Sequence, residues 1–442
     1  CSETQERFMW VCPPDTTPMI INHYNNVFDL PKVSSGAQAS VIGKIREDGM
    51  YVVHNGSEKI VNAPASEVTK GFLYNRPYTE KKNNYYEPNI TRLKNHNETL
   101  IEILSNENVC SRKPVYEKYD KQVQGRTYTE TGLADAGVIA PFNSSQYPKE
   151  IRQVGVALST DHNPRFGLID PYWSGVNAVV EAMRNVASVG ATPHAITDCL
   201  CYGNPEKPQQ MWEFVEGVRG INDACRTITL KHSPKDPTPI IAGNVSFYNE
   251  SKNKSIPPSP IVSCLGKIEN VKNTTTMSFK KENSSIIMIG KRKNELGGSI
   301  YYSLQNELGK NLPKPNLIEV KNQIYSVTDC IEKNIVVACH DISEGGIASA
   351  LSEMTFENSI GCNVKIDNEL LIEKTLFAET GGFILEVDNN QVESVRSVFK
   401  QNNLDIYVIG NTRGNKIKIN GAINILVSEA KKCWENGLKE KL

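Results

Sequence analysis

Apolar positions along this chain follow two periods, and the switches between them divide it into three stretches. In the second, about residues 114–272, GVALST alternates as a strand. GVNAVVEAMRNVASVGA then repeats at helical spacing and closes at Gly190, and HAITDCL alternates again. The next helix puts Met211, Phe214, Val215, Val218, Ile221 and Cys225 on one face, and TPIIAGNVSFYNE and SPIVSCLGKIE read as two more strands. The third stretch, about 283–442, opens on the apolar run SSIIMIG and continues with VVACHDIS, GGFILEV and DIYVIG between helical segments. Both stretches therefore predict an α/β or α+β fold.

The first stretch, residues 1–80, reads as strands and a helix ending in a hairpin. After the polar CSETQ, the run Phe8-Met9-Trp10-Val11-Cys12 is expected to enter a buried strand. VIGKIREDGMYVVHNG alternates around Asp48-Gly49, a two-residue turn signal. Residues 81–113, polar and Asn-rich (EKKNNYYEPNITRLKNHNE), read as a linker. SETQERFMWV and AETGGFILEV share a Glu-Thr pair beside an apolar run, each followed by a helix and a VIG strand. An internal repeat accounts for this, and on that reading Cys1 lies inside a domain whose front is missing.

Composition narrows the function classes. Lys+Arg 49 against Asp+Glu 50 leaves a net charge of -1, which argues against a nucleic-acid binder driven by phosphate neutralisation. No apolar stretch approaches the ~20 residues of a membrane span. Eleven scattered cysteines, several in apolar runs, fit reduced thiols and a cytoplasmic protein. Cys199 and Cys201 flank one residue in DCLCYG, but a zinc site there needs partners that the sequence does not offer.

Four motifs gather polar groups at strand ends. ALSTDHNPRFGLIDPYWSG ends a strand in Thr160-Asp161, which suits a hard cation or phosphate; Asp161 and Asp170 are equally explained as turn and N-cap residues. AITDCLCYGNPEKP offers Asp198 at the end of an apolar strand, lining a cleft or a solvated turn. In IIAGNVSFYNE, Gly243 permits close backbone approach, Asn244 offers an amide oxygen suited to Mg²⁺, and Ser246 shares its strand face; a bulge also explains this Gly and Asn. ACHDISEGGIASAL places His340-Asp341 at a strand end, with Ser343 as a helix cap and Gly345-Gly346 as bare N–H donors for an anion, and ELGGSIYY shares that look. A lone His such as His340 is more often structural than catalytic.

Taken together these motifs resemble a specific family. STDHNPRFGLIDPYWSGVNAVVEAMRNVASVGATPHAITDCLCYGNPEKPQQMW, IIAGNVSFYNES and HDISEGGIASAL, in that order, are similar to the synthetase subunit of phosphoribosylformylglycinamidine synthase. SETQERF is similar to that family's Ser-Glu-Ser-Gln-Glu-Arg, with Thr4 where Ser is typical. The resemblance implies a duplicated pair of aminoimidazole-ribonucleotide-synthetase-like A and B domains. Residues 1–80 would end B1, with A2 at 114–272 and B2 at 283–442.

It also implies a ligase in purine biosynthesis that uses ATP and Mg²⁺ to activate formylglycinamide ribonucleotide for attack by ammonia. Glu3, Thr4, Gln5 and Ser246 would bind that substrate, Asp198 and Gly243 would bind ATP, and Asn244 would ligate Mg²⁺. The family's catalytic His, ATP-contacting Lys and acidic Mg²⁺ ligands lie in A1, so no residue here inherits those roles and the chain alone is expected to be inactive. The Glu379-Thr380-Gly381-Gly382 copy departs from Glu3-Thr4-Gln5-Glu6, which implies that any second, pseudo-symmetric site is non-catalytic. No cysteine has a glutaminase setting, so a partner glutaminase subunit and a small accessory subunit are implied, alongside the missing N-terminal half. Two alternatives use Cys1, as the nucleophile of an amidohydrolase or as the anchor of a lipid-linked binding protein. A third is another ATP-using relative of this fold, a selenophosphate synthetase or a thiamine-phosphate kinase.

Overall fold

The computed structural model describes residues 7–71, 74–90, 95–252, 254–439 and 441–442. The chain divides into two compact units, Cys1–Asn75 and Arg76–Leu442. The first holds short helices α1 (Thr17–Asn22) and α2 (Leu30–Val33), a hairpin of β1 (Met50–Asn55) and β2 (Glu58–Pro64), and α3 (Ala65–Lys70). Its hairpin turns at Gly56-Ser57, not at Asp48-Gly49, because Asn55-Gly56 supplies the left-handed residue, with Gly56 at φ 59°. Asp48 instead closes a local turn, accepting a hydrogen bond from the Met50 N–H. The expected strands at Phe8–Cys12 and Val41–Ile45 do not form. Both runs are exposed, Phe8 by 88% and Ile42 by 79%. An apolar run becomes a strand only where a neighbour completes its ladder, and among the described residues none does.

The second unit opens with α4 (His96–Leu104) and α5 (Lys113–Tyr116). Helix α4 lies inside the stretch read as a linker. Asn95 caps it, and Leu100, Ile103 and Leu104 are fully buried, so these residues belong to the folded core and do not act as a spacer. Six strands follow in one sheet: β3 (Thr127–Thr129), β4 (Gly137–Ile139), β5 (Gly155–Asp161), β6 (Thr192–Cys201), β7 (Ile240–Ser246) and β10 (Ser259–Ile268). Their order is β3-β4-β5-β10-β6-β7, antiparallel except for the β6–β7 pair, and a small ribbon of β8 (Glu250–Ser251) and β9 (Lys254–Ser255) interrupts the chain. Helices α6 (Pro164–Ile169), α7 (Pro171–Ser188) and α8 (Pro208–Thr227) accompany this sheet.

A second sheet, ordered β12-β14-β11-β15-β13-β16-β17, is built from β11 (Ser285–Ile289), β12 (Ala338–Asp341), β13 (Cys362–Val364), β14 (Phe383–Val387), β15 (Tyr407–Thr412), β16 (Lys416–Ile419) and β17 (Ile423–Leu426). It carries α9 (Ile300–Ser303), α10 (Leu317–Glu332), α11 (Gly346–Phe356), α12 (Ile372–Phe377), α13 (Val392–Gln401) and α14 (Val427–Lys439). Strands β11 and β14 are buried on both faces, as continuous apolar runs allow. Ile287, Ile289, Phe383 and Leu385 enter a core shared with α7, α8, α10 and α13. Ile286, Met288 and Ile384 face a second core under α4, α11 and α14. No helix among the described residues is long and apolar enough to cross a membrane.

Helix α7 is the centre of this arrangement. Asp170 caps it, accepting from the Tyr172 and Trp173 N–H groups at 3.1 and 3.3 Å, and every residue beyond Trp173 is buried. Its partner α8 presents a glycine face to it and leaves the expected apolar stripe partly in solvent: Val218 is exposed, while Gly217, Gly220 and Ala224 are buried. Side chains at Gly175 or Gly220 would run into the backbone carbonyls of Gly217 and Tyr172, so the glycines set the helix separation. Gly220→Ala is therefore expected to cost about 1–3 kcal/mol, read as a lower urea midpoint. An unchanged midpoint would show that the two helices have room to part.

Candidate functional site

Strands β6 and β7 run parallel and end together, with Asp198 beside Gly243, Cys199 beside Asn244 and Cys201 beside Ser246. Paired residues on adjacent strands share a face, and successive residues alternate. Asp198 and Gly243 therefore point to the helix side, in one row with Asp161 of β5 and the buried Val262 of β10. A Cβ at Gly243 would collide with the Asp198 carboxylate. Asn244 and Ser246 point the other way, with Cys199 and Cys201, and the Cys199 thiol donates to Asn244 Oδ1 at 3.3 Å. The acid thus does not share a cleft wall with the amide and the hydroxyl; the two sets lie on opposite faces of one sheet edge. Ser246 Oγ donates to Asn249 Oδ1 at 3.2 Å, and the Asn249 amide ties this loop to the Tyr202 carbonyl at 2.9 Å. Burial raises the Asp198 pKa. Glu3, Thr4 and Gln5 lie outside the described residues.

A second constellation forms where the ends of β5 and β12 meet α7. Glu181, Arg184 and Asn185 occupy one face of that helix by their spacing of three and four. Arg184 lies 3.6 Å from both Glu181 and Asp341, and the Asn185 amide donates to Asp161 at 3.4 Å. Glu181 and Asp341 are buried, with Asp161 and Glu344 half-buried beside them. Four carboxyls thus share one guanidinium. Burial, then the crowd of like charges, pushes Asp161 and Glu181 well above the usual carboxylate range and lifts Asp341 from 3.8 to about 7. Asp341 Oδ2 makes no hydrogen bond.

Around this cluster the structure fixes several groups that the sequence left open. Burial alone would lower the His340 pKa, but Asp135 at 2.6 Å and Glu353 at 3.2 Å occupy its two ring nitrogens and raise it well above 6.5. Ligand atoms of Asp135, His340 and Asp341 lie within 4.8 Å of one another, yet these bonds commit the imidazole to an orienting role. The N–H groups of the glycine-rich turns suspected of binding an anion are already taken up by a side chain of this protein. Glu379 Oε1 accepts from Gly345 N–H at 2.9 Å and from Ile300 N–H at 2.8 Å. Ser343 does not cap the helix; Gly345, at φ 76°, stands at that position. Burial, with Glu344 nearby, lifts Glu379 from 4.5 to about 8. His162 is a further group that the motif reading passed over. Both its ring nitrogens are buried without hydrogen bonds, and burial lowers its pKa to about 4.

Comparison with known proteins places these features in context. Residues 134–268 match the family model "AIR synthase related protein, N-terminal domain", and residues 281–420 match its C-terminal domain. The chain is 39% identical over its whole length to the phosphoribosylformylglycinamidine synthase subunit PurL of Methanothrix thermoacetophila, spanning 57% of that protein. Among solved structures, Thermotoga maritima PurL complexed with FGAR aligns at TM-score 0.58 and 15% identity, over 76% of this chain and 53% of that one. The PurLQS structure of the same organism aligns at TM-score 0.50 and 19% identity, over 84% and 50%. Both likenesses bear on the fold alone.

The raised carboxyl pKa values carry a sign. The folded chain holds protons that the unfolded chain has released, so this stabilisation is complete below the ordinary values of 3.8 and 4.5. It is lost as pH rises through about 7 at Asp341 and about 8 at Glu379. His340, raised well above 6.5, adds with the same sign. In buffer free of divalent cations, resistance to urea is expected to fall from about pH 5 to about pH 8. Asp161→Asn removes one like charge and should flatten that fall; an unchanged slope would place its source elsewhere.

Proposed function

Because the chain belongs to the AIR synthase related family and corresponds to the C-terminal half of the PurL subunits it matches, we propose that it is part of an ATP-dependent ligase. The reaction converts formylglycinamide ribonucleotide and ammonia to formylglycinamidine ribonucleotide in purine biosynthesis. The γ-phosphoryl group of ATP passes to the substrate's amide oxygen, ammonia adds to the activated carbon, and phosphate leaves with that oxygen. The observation that carries this reading is the parallel β6–β7 edge. There Asp198 and Gly243 on one face, and Asn244 and Ser246 on the other, occupy the carboxyl-terminal halves of two parallel strands, and ligands of open α/β sheets bind near the carboxyl ends of such strands.

Each residue has a role that its setting supports. Gly243 exposes its backbone because a side chain there would strike Asp198, so a nucleotide can approach the strand closely. Asp198 would contact the same ATP, Ser246 would hold the ribonucleotide through its hydroxyl, and Glu3, Thr4 and Gln5 would complete that contact. Asn244 would give Mg²⁺ one neutral oxygen, and the ion, when bound, offsets charge on the transferring phosphoryl group. Its neighbour across β6 is the Cys199 thiol and no carboxylate, so acidic ligands would come from protein outside this chain.

The chain spans 57% of its Methanothrix relative, and the remainder would supply the catalytic base and the rest of the metal site. Ammonia would come from a glutaminase partner, with a small accessory subunit assisting. Burial argues against Cys225, Cys330 and Cys362 as glutaminase nucleophiles, since their thiol pKa values are pushed up to about 12. On this reading the enzyme works in the cytoplasm.

The 442-residue chain alone is expected to show no synthetase activity and to gain it when mixed with the portion of PurL that it does not span. In that assembly, Asn244→Ala should raise the Mg²⁺ concentration needed for half-maximal turnover about 10- to 100-fold. Turnover by the isolated chain, or an unchanged Mg²⁺ dependence in the variant, would overturn the respective assignment.

A further inference from the structure

The face of β6 that carries Asn244's neighbour also carries a pair of thiols. Cys199 and Cys201 are two residues apart on the strand, project to the same side, and hold their sulfurs 3.9 Å from each other. Asn244 Oδ1, on the adjoining strand, lies 3.3 Å from Cys199 Sγ. Both cysteines are half-buried and free of disulfides, and Asn244 is exposed. The site therefore opens to solvent at the sheet edge, and an ion can reach it without unfolding.

These separations have a chemical meaning. Two thiolates bound to one tetrahedral Zn²⁺ at about 2.3 Å stand about 3.8 Å apart along the tetrahedron's edge. The sulfur pair already has that spacing, and the amide oxygen sits at the distance of a third vertex from Cys199. The amino-acid sequence offered the thiols no further partner; the β6–β7 pairing supplies one. A hard ion such as Mg²⁺ gains nothing from thiol sulfur, whereas a soft or borderline divalent cation does.

We propose that Cys199, Cys201 and Asn244 Oδ1 form a site for one thiophilic divalent cation of the Zn²⁺ or Cd²⁺ class, with a fourth position open to solvent. Binding is an exchange without redox change: two S–H bonds give way to two sulfur–metal bonds, and two protons are released to solvent. The Asn244 oxygen trades the thiol hydrogen it accepts for the metal. One consequence rests on the function proposed above. If Asn244 serves Mg²⁺ there, a soft cation held by the thiols takes that oxygen away and inhibits.

The test uses the 442-residue chain with Cd²⁺ alone as the probe, reading thiolate-to-metal charge-transfer absorbance and dialysis stoichiometry. One tight Cd²⁺ per chain is expected. Cys199→Ser or Cys201→Ser should each weaken it at least ten-fold and halve the band, Asn244→Ala should weaken it several-fold, and Cys433→Ser should change nothing. In the unmodified chain, one equivalent of Cd²⁺ should also protect two thiols from alkylation, a readout that needs no variant to fold. Unchanged binding in the Cys199→Ser, Cys201→Ser double variant, or no protected thiols, would overturn the site. Cd²⁺ that binds as described but leaves turnover of the assembled enzyme unaffected would uphold the site and remove Asn244 from the Mg²⁺ role.

Discussion

The arrangement depends on a helix that is buried on every side and yet is not wholly apolar. A core helix sheds water from all of its faces, and α7 does so beyond Trp173 even though it carries Glu181, Arg184 and Asn185, which are themselves buried. Isolated ions cannot stay there; each needs a partner within the low-dielectric interior. The partners come from opposite directions. The first sheet delivers Asp161 at the end of β5, and the second delivers Asp341 at the end of β12. Joining the two sheets and assembling the charge cluster are one event, because neither sheet alone satisfies the helix between them.

That dependence explains what could be seen in the sequence. The helix itself was legible: Asp170-Pro171 opens it, Gly190 at φ 87° follows its end, and the spacing between is helical. The strands ending in Asp161 and Asp341 were legible too, since apolar runs that stop at an acid are local signals; β6 was legible but its end was not, for pairing with β7 carries it past Asp198 to Cys201. Which acids meet was not. Asp161 and Asp341 are separated by most of both domains, and only the shared α7 brings them together. The structural role of Glu379 was hidden for the same reason: beside Glu3 the residue shows only a departure from the first copy, whereas two glycine-rich turns far from it close on its carboxyl group. The first unit shows the converse, since the Val41–Ile45 alternation is a genuine strand pattern that finds no partner strand among the described residues.

The two polar constellations share one sheet. Asp161, Val262, Asp198 and Gly243 lie in a single cross-strand row, so Asp161 and Asp198 are two strands apart, about 9–10 Å. At an effective dielectric near 20, two charges at that distance feel each other by roughly 1–2 kcal/mol.

Position at the edge is what lets one strand offer groups on both faces. In the middle of a sheet a ligand meets one face only, since the backbone is closed on both sides by neighbouring ladders. Among the described residues strand β7 is paired with β6 alone, so on the function proposed above a ligand would lie along its free side, with Asp198 over one face and Asn244 and Ser246 over the other. Edges of this kind carry a cost. Free N–H and C=O groups invite pairing with other chains, and charged residues or proline commonly guard them. IIAGNVS has neither, and Ile241 and Val245 are 60% and 50% exposed. A lysine or proline placed in this seven-residue strand would protect the edge only by obstructing the backbone that Gly243 leaves open. On the function proposed above, a bare edge is what admits a nucleotide there.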